Sequence, residues 1–172
     1  MFDFSRFTGS FRLSKRMERS MRHTFTVVTT LFRNGNASDS DRDIRVAVLS
    51  VFRRILESDG PLKEADLESL RQLLTHDYSP FEVDKLIAEL KNQPPLPTEE
   101  IVAALGKLPP AELERVLRAF LYLAVSTDAL EHCTPLISDL AERTGFSART
   151  IRRITDEITA EHLRRRRIIR SG

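Results

Sequence analysis

Two long apolar stretches, residues 44–56 and 113–125, constrain the fold of this chain more than any other feature. Their apolar residues recur at helical spacing and form nearly continuous runs, which is typical of helices enclosed within a domain. The runs are made by Ile44, Val46, Ala47, Val48, Val51, Phe52, Ile55 and Leu56, and by Leu113, Val116, Leu117, Phe120, Leu121, Leu123, Ala124 and Val125. We therefore expect two central helices.

The composition favours an all-α protein. The chain has 172 residues, of which 41% are hydrophobic, so it can fill a globular core. It contains 6 Gly, 8 Pro and no Trp, and Leu, Ala, Arg and Glu are abundant, which favours helix over strand. No run of 18 apolar residues is present, so an integral membrane protein is excluded.

Shorter amphipathic segments follow each central stretch. After the first, the pattern predicts helices over residues 63–74 and 79–90, the second opened by a capping box of Ser79 and Glu82 with Pro80 in the first turn. Residues 93–97 are too rich in proline to continue a helix, and Thr98 is expected to cap a short helix after them. After the second stretch, helices are predicted over 135–143 and 148–163.

The two halves of the chain align with each other. At an offset of 69, six positions keep their character: Val48, Val51, Phe52, Ile55, Leu56 and Asp59 fall on Leu117, Phe120, Leu121, Ala124, Val125 and Asp128. We predict a duplicated three-helix unit packed as a single helical bundle. Its domain spans 41–163 and comprises repeat 1 (41–91), a connector (92–110) and repeat 2 (111–160).

Both ends of the chain are basic. Residues 1–33 hold 7 Lys or Arg and 2 acids, residues 149–172 hold 8 and 3, and residues 34–148 hold 12 and 20. We expect an extra basic amphipathic helix at 1–33, a linker at 34–40 and a basic tail at 164–172. The residues predicted to face an anionic membrane or a partner are Phe4, Phe7, Phe11, Arg12, Lys15, Arg16, Arg164, Arg165, Arg166 and Arg167.

A competing interpretation of the N-terminal segment is that it docks on the domain. We favour docking from Met17 onward, which leaves residues 1–11 as a mobile contact arm.

An acidic group surrounds the turn after the first central helix. It consists of Glu57, Asp59, Glu64, Asp66 and Glu68. Three or more converging carboxylates can hold Ca²⁺ or Mg²⁺, although the spacing is not that of an EF-hand. Alternatively, Glu64 and Asp66 only favour a helix N-terminus and Asp59 closes the turn.

Residues 48–74 resemble the tellurite-resistance TerB family and the N-terminal domain of DjlA-type co-chaperones. In that pattern an apolar helix ends in Ala-Asp-Gly, an aliphatic residue follows and an acid comes seven residues after the Asp. Asp59, Gly60, Leu62 and Asp66 match it, and Ser58 stands for the Ala. The second half keeps the Asp as Asp128 but has Ala129 for the Gly and Pro135 for the acid. The resemblance implies an all-α fold and paired acidic sites that bind a divalent metal.

Residues 137–154 resemble a helix-turn-helix. Ala141, Gly145, Ser147, Ile151 and Ile154 occupy its packing, turn and capping positions. Arg149, Thr150, Arg152 and Arg153 would then face the major groove of DNA. Since residues 70–90 have the same skeleton and an acidic exterior, the pattern also fits helix packing alone, which we favour.

No catalytic constellation is present in the sequence. The four histidines lack zinc-ligand spacing, and neither a phosphate-binding glycine loop nor a nucleophile elbow occurs. The lone Cys133 points to a reducing, cytoplasmic setting. We expect a non-enzymatic TerB-like interaction module with a protein partner and no small-molecule substrate. It would bind a divalent cation and associate with a stress-response complex or, peripherally, with the inner membrane; the alternative is a DNA-binding transcriptional regulator.

Overall fold

The computed structural model describes residues 38–75 and 78–170, apart from the side chains of Leu73 and of residues 165–170. These residues form α1 (Asp39–Leu56), α2 (Glu64–Leu74), α3 (Pro80–Asn92), α4 (Thr98–Leu105), α5 (Pro110–Ser126), α6 (Leu130–Arg143) and α7 (Ala148–Arg170). The prediction of an all-α fold is confirmed, because no strand occurs in this part of the chain. None of these helices has the length and apolar character needed to cross a membrane. The predicted helix at 1–33 lies outside the described residues, together with Phe4, Phe7, Phe11, Arg12, Lys15 and Arg16.

The helices α1 and α5 form the centre of the fold. Every residue of 47–52 on α1 and of 119–125 on α5 is buried, including the single polar side chain Ser50. The rings of Phe52 and Phe120 meet edge to face, with centroids 5.7 Å apart and an interplanar angle of 89°. The two apolar stretches are therefore the central helices that their sequence predicts.

The remaining helices pack around this pair. Helix α1 contacts α3 and α4, whereas α5 contacts α6 and α7, and α2 lies against both α3 and α5. Matched positions of the third helices are buried in both halves: Val83, Leu86 and Leu90 on α3, and Ile151, Ile154 and Ile158 on α7. Three helices, a connector with α4 and three more helices follow one another in the predicted order. Their origin by duplication stays a prediction.

The polar side chains of α1 hold the proline-rich connector. Arg53 Nη1 donates to the carbonyl oxygens of Lys91 and Gln93, at 2.9 and 2.7 Å. Arg54 donates to the carbonyl of Leu96, and the backbone N–H of Leu96 donates to the buried Ser50 Oγ at 3.1 Å. These bonds satisfy backbone groups that a non-helical segment leaves unpaired.

Three helix boundaries differ from prediction near the start of an element. Helix α6 begins at Leu130, five residues before the predicted start at 135, so Pro135 lies inside it. The first central helix begins at Asp39 with Ser38 as its cap, so the last two residues of the predicted linker 34–40 are helical. Thr98 is the first residue of α4, and the cap position is occupied by Pro97. The Thr98 hydroxyl instead accepts a hydrogen bond from Arg54 Nη1 at 3.1 Å.

Helix α7 runs parallel to α5 and extends past its end. Arg118 Nη2 on α5 is 3.0 Å from a Glu157 carboxylate oxygen on α7, and the Tyr122 hydroxyl is 3.4 Å from that of Glu161. Both pairs have the same separation in sequence, so the end of α5 at Ser126 is level with residue 165. The helix predicted to stop at Leu163 continues to Arg170, and most of the predicted tail 164–172 is helical. Arginine favours helix, and no breaker occurs before Gly172.

Candidate functional site

The turn that follows α1 lies against the start of α6. The carboxylate of Asp59 is close enough to His132 and Cys133 to act on both electrostatically. Since α6 begins directly after α5, the turns that end the two central helices lie at the same end of the molecule. Burial raises the pKa of the Cys133 thiol, the nearby Ser58 hydroxyl opposes this and Asp59 adds to it. Cys133 is therefore a protonated, enclosed side chain and not an activated nucleophile.

Three of the carboxylates predicted to bind metal are paired with bases. Lys63 Nζ donates to Asp59 Oδ2 at 2.7 Å, and this hydrogen bond holds the pKa of Asp59 below its ordinary value. Glu57 is 3.1 Å from Arg53 Nε, and Glu64 is 4.0 Å from Lys91 Nζ. Asp66 lies with Glu64 in the first turn of α2. No three His, Cys, Asp or Glu side chains gather as a metal site within residues 38–75 and 78–170.

The two turns at this end are closed by different residues. In the first, Gly60 is left-handed, with φ +140°; in the second, the left-handed residue is Asp128, with φ +58°. Ala129 N–H then bonds to the carbonyl of Ala124 at 2.7 Å and closes α5. Because the left-handed position falls on an Asp, which tolerates it, the second turn needs no glycine where Ala129 stands. Asp128 thus ends a helix, and the structure does not bring it into a carboxylate cluster with Asp59.

The segment 137–154 has the local geometry of a helix-turn-helix. Gly145 is left-handed, with φ +104°, and the N–H of Phe146 bonds to the carbonyl of Ala141 at 2.9 Å to end α6. Ser147 Oγ accepts from the N–H of Thr150 at 3.2 Å and caps α7. Ala141 and Ile154 are buried. The turn and cap residues of the motif have the predicted roles.

The predicted DNA-facing side chains divide into two groups. Arg153 Nη1 pairs with a Glu157 oxygen at 3.1 Å, and the Thr150 hydroxyl lies 3.0 Å from that of Ser147. Arg149 and Arg152 are exposed, and neither side chain pairs with another residue in the described part of the chain. Two arginines on the outer face of α7 therefore remain available to an anionic partner.

The acidic side chains of α7 are directed differently. The carboxylates of Glu157 and Glu161 accept hydrogen bonds from Arg118 and Tyr122 on α5. These two acids of α7 are therefore bound to the neighbouring helix. Asp156 is exposed. Two of the three acids of α7 thus bond to α5, and this arrangement depends on the α5–α7 register, which the sequence pattern alone did not identify.

The first half carries the same skeleton with other surface chemistry. At an offset of 68, which aligns α3 with α7, Phe81 falls on Arg149 and Asp84 falls on Arg152. Phe81 is 79% exposed, and Asp84 pairs with Arg71. The helix-turn-helix skeleton thus occurs twice, but unpaired arginines occupy these two outer positions only on α7.

Sequence reasoning also missed an open groove of about 400 Å³ between α1 and α3. It is lined by Arg45, Val46, Leu49, Lys85, Ala88, Glu89, Asn92 and Gln93. Arg45 pairs with Glu89 across it. The sequence signal for the groove is Ala88, a small residue on a helix face where a larger side chain would fill the space.

The chain matches no protein-family model, no curated protein and no solved structure.

Proposed function

We propose that this protein is a non-enzymatic TerB-like interaction module that attaches to an anionic membrane surface through the end of α7. The TerB-like assignment is supported by the resemblance of residues 48–74 and by the all-helical fold. The observation that carries the membrane proposal is the overhang of α7. Its basic run, residues 164–167, occupies a helix that continues past the end of α5.

The overhang brings a basic stretch of sequence directly after an exposed apolar residue. Beyond residue 165, α7 extends by five residues, or roughly 7 Å at the usual helical rise. Leu163, just before the basic run, is 51% exposed. A surface that combines an apolar side chain with clustered arginine is typical of peripheral attachment to anionic lipid. The basic N-terminal segment would add a second contact of the same kind.

Divalent cation binding at the first acidic turn has weaker support. Lys63 already donates to Asp59 in the place where a cation would sit. Glu57 pairs with Arg53, and Glu64 pairs with Lys91. A cation would therefore have to compete with three bases.

Sedimentation with lipid vesicles tests the proposed function. Vesicles of phosphatidylcholine should leave the protein in solution, and vesicles with phosphatidylglycerol added should sediment it at low salt. A variant with glutamine at Arg164, Arg165, Arg166 and Arg167 should bind at least a hundredfold more weakly, since each basic residue near an anionic leaflet contributes about 1 kcal/mol. Glutamine keeps the helix propensity and most of the length of the side chain.

A matched control removes the same charge elsewhere. Glutamine at the exposed residues Lys85, Arg115, Arg149 and Arg152 should leave most of the vesicle binding intact. Equal losses for the two variants, or no preference for anionic vesicles, would exclude attachment through the end of α7.

A further inference from the structure

We propose that α6 and the first turns of α7 bind duplex DNA, with Arg149 and Arg152 on the side that enters the major groove. This function is independent of membrane attachment, because it uses the other end of α7. In the α5–α7 register Arg149 is level with Pro110 and residue 165 with Ser126, which separates the two surfaces by about 24 Å along the helix.

The local backbone supplies the short, capped turn that the motif uses. A helix-turn-helix needs a short turn that sets two packed helices at a fixed angle, so that the second can lie in the groove while the first crosses the phosphate backbone. Four residues, 144–147, separate α6 from α7, with left-handed Gly145 at the turn and Ser147 as the cap of α7. The buried Ile151 and Ile154 fix the rotation of α7, which directs Arg149 and Arg152 outward.

Packing alone does not explain the outer residues. The α2–α3 pair satisfies the same internal positions with Val83 and Leu86, so the skeleton itself is needed in both halves. At the outer positions packing imposes no residue type, yet α7 carries two arginines where α3 carries Phe81 and Asp84. The two halves therefore differ in the charge of this surface, and the positive charge on α7 favours binding to an anionic polymer.

The charges around Arg149 and Arg152 are mixed. On α6, Glu142 is exposed and Asp139 lies 3.6 Å from Arg143. On α7, Glu157 is bonded to Arg118 and Arg153. Asp156 is exposed one turn after Arg152. An aspartate on a recognition helix accepts a hydrogen bond from the amino group of cytosine, and arginine donates to guanine in bidentate fashion. This surface thus favours sites that contain G·C pairs over A·T-rich sequence.

Selection from a random duplex pool, using the full chain, tests the proposal. The expected result is an enriched, G·C-containing site that the protein binds at least about a thousandfold more tightly than random duplex at physiological salt. A pool that returns no enriched sequence would overturn the proposal.

Two variants assign the binding to its residues. Arg149→Gln and Arg152→Gln should each weaken binding to the selected site by roughly tenfold or more and relax the base preference at one or two positions, as loss of a bidentate base contact does. Both side chains are exposed and unpaired within the described residues, so these variants should keep the wild-type melting temperature. An enriched site that both variants bind unchanged would contradict the role of α7.

The charge-matched control is Lys85→Gln on α3, whose aligned position on α7 is Arg153. It should leave affinity for the selected site within about twofold. The variant with glutamine at residues 164–167 separates DNA readout from general attraction. It should lower the affinity for the selected site and for random duplex alike, because the loss of four positive charges weakens long-range attraction to DNA whatever its sequence. If this variant instead abolished the preference while the Arg149 and Arg152 variants retained it, the helix-turn-helix would not be the reading element.

Discussion

At the scale of single residues, the acidic turn is organised by ion pairs. Lys63 and Asp59 are four residues apart and half exposed, at 53% and 48%, with their charged atoms 2.7 Å apart. The pKa of Asp59 is lowered and that of Lys63 is raised by the same hydrogen bond. The stabilisation from Asp59 is therefore present above pH 3.8 and is lost as the pH falls through its lower folded value. That from Lys63 is present below pH 10.5 and is lost as the pH rises through its higher folded value.

Removal of the Lys63 side chain should restore the ordinary pKa of Asp59. In Lys63→Met, the pKa of Asp59 should rise toward its ordinary value of 3.8, because the donor of its main hydrogen bond is gone. Carboxyl chemical shifts followed by NMR over an acid titration measure this directly. Lys85→Met is the control and should leave Asp59 unchanged. An Asp59 pKa that stays low in Lys63→Met would mean that another group holds the carboxylate.

The thiol of Cys133 should be almost inert in the folded protein. It is 2% exposed, and burial raises its pKa, so little thiolate is present at neutral pH and reagents cannot reach it. We expect reaction with a disulfide reagent at pH 8 to be slower by orders of magnitude than in denaturant, where the thiol should react fully. Rapid stoichiometric labelling of the native protein would contradict the enclosed position.

At the scale of elements, sequence reasoning succeeded where the signal is local. The capping boxes at Ser38 and Ser79 and the turn at Gly145 are formed by residues within a few positions of each other. The sequence placed the capping box of Ser79 and the turn at Gly145 correctly and assigned Ser38 to a linker. It failed at the end of α7. The prediction ended the helix at Leu163, but the arginines that follow favour helix and nothing before Gly172 breaks it, so the helix continues to Arg170.

Substitution of Gly145 should destabilise the α6–α7 turn through its backbone alone. A Cβ at this position meets nothing within 4 Å, but φ is +104°. Gly145→Ala should therefore lower the free energy of unfolding by roughly 1–2 kcal/mol, the usual cost of a left-handed conformation. Gly145→Asn should cost less, since asparagine tolerates this region better. Urea denaturation measures both, and an equal loss in the two variants would point to a steric cause.

At the scale of the whole molecule, the two halves share one core. Phe52 from the first half and Phe120 from the second are fully buried against each other. The sequence indicated that both helices are central, but not that these two rings meet. The sequence could not predict the α5–α7 register or the hydrogen bonds from Arg53 to the connector. Both depend on contacts between residues about forty positions apart.

A mutant cycle on this ring pair tests whether the halves unfold together. Phe52→Ala and Phe120→Ala should each lower the free energy of unfolding by about 3–5 kcal/mol through lost burial and a cavity. The double variant should lose less than the sum of the single losses, because the second substitution enlarges an existing cavity and removes a contact that is already gone. Calorimetry should show one transition for the native chain. Two separate transitions, or strictly additive losses, would contradict a shared core.

The middle of α1 and the end of α5 are enclosed on all sides, and this limits how the sequence of the chain can diverge. A helix with one solvent face leaves part of each turn free to vary, so tolerated substitutions recur with the helical period. Residues 47–52 and 119–125 have no such face. A scan of all single substitutions, scored by the amount of folded protein, should therefore show these two segments as unbroken intolerant blocks, with periodic tolerance on α2, α3 and α6. Over evolutionary time, descendants of this chain should keep those two blocks long after their surfaces have become unrecognisable.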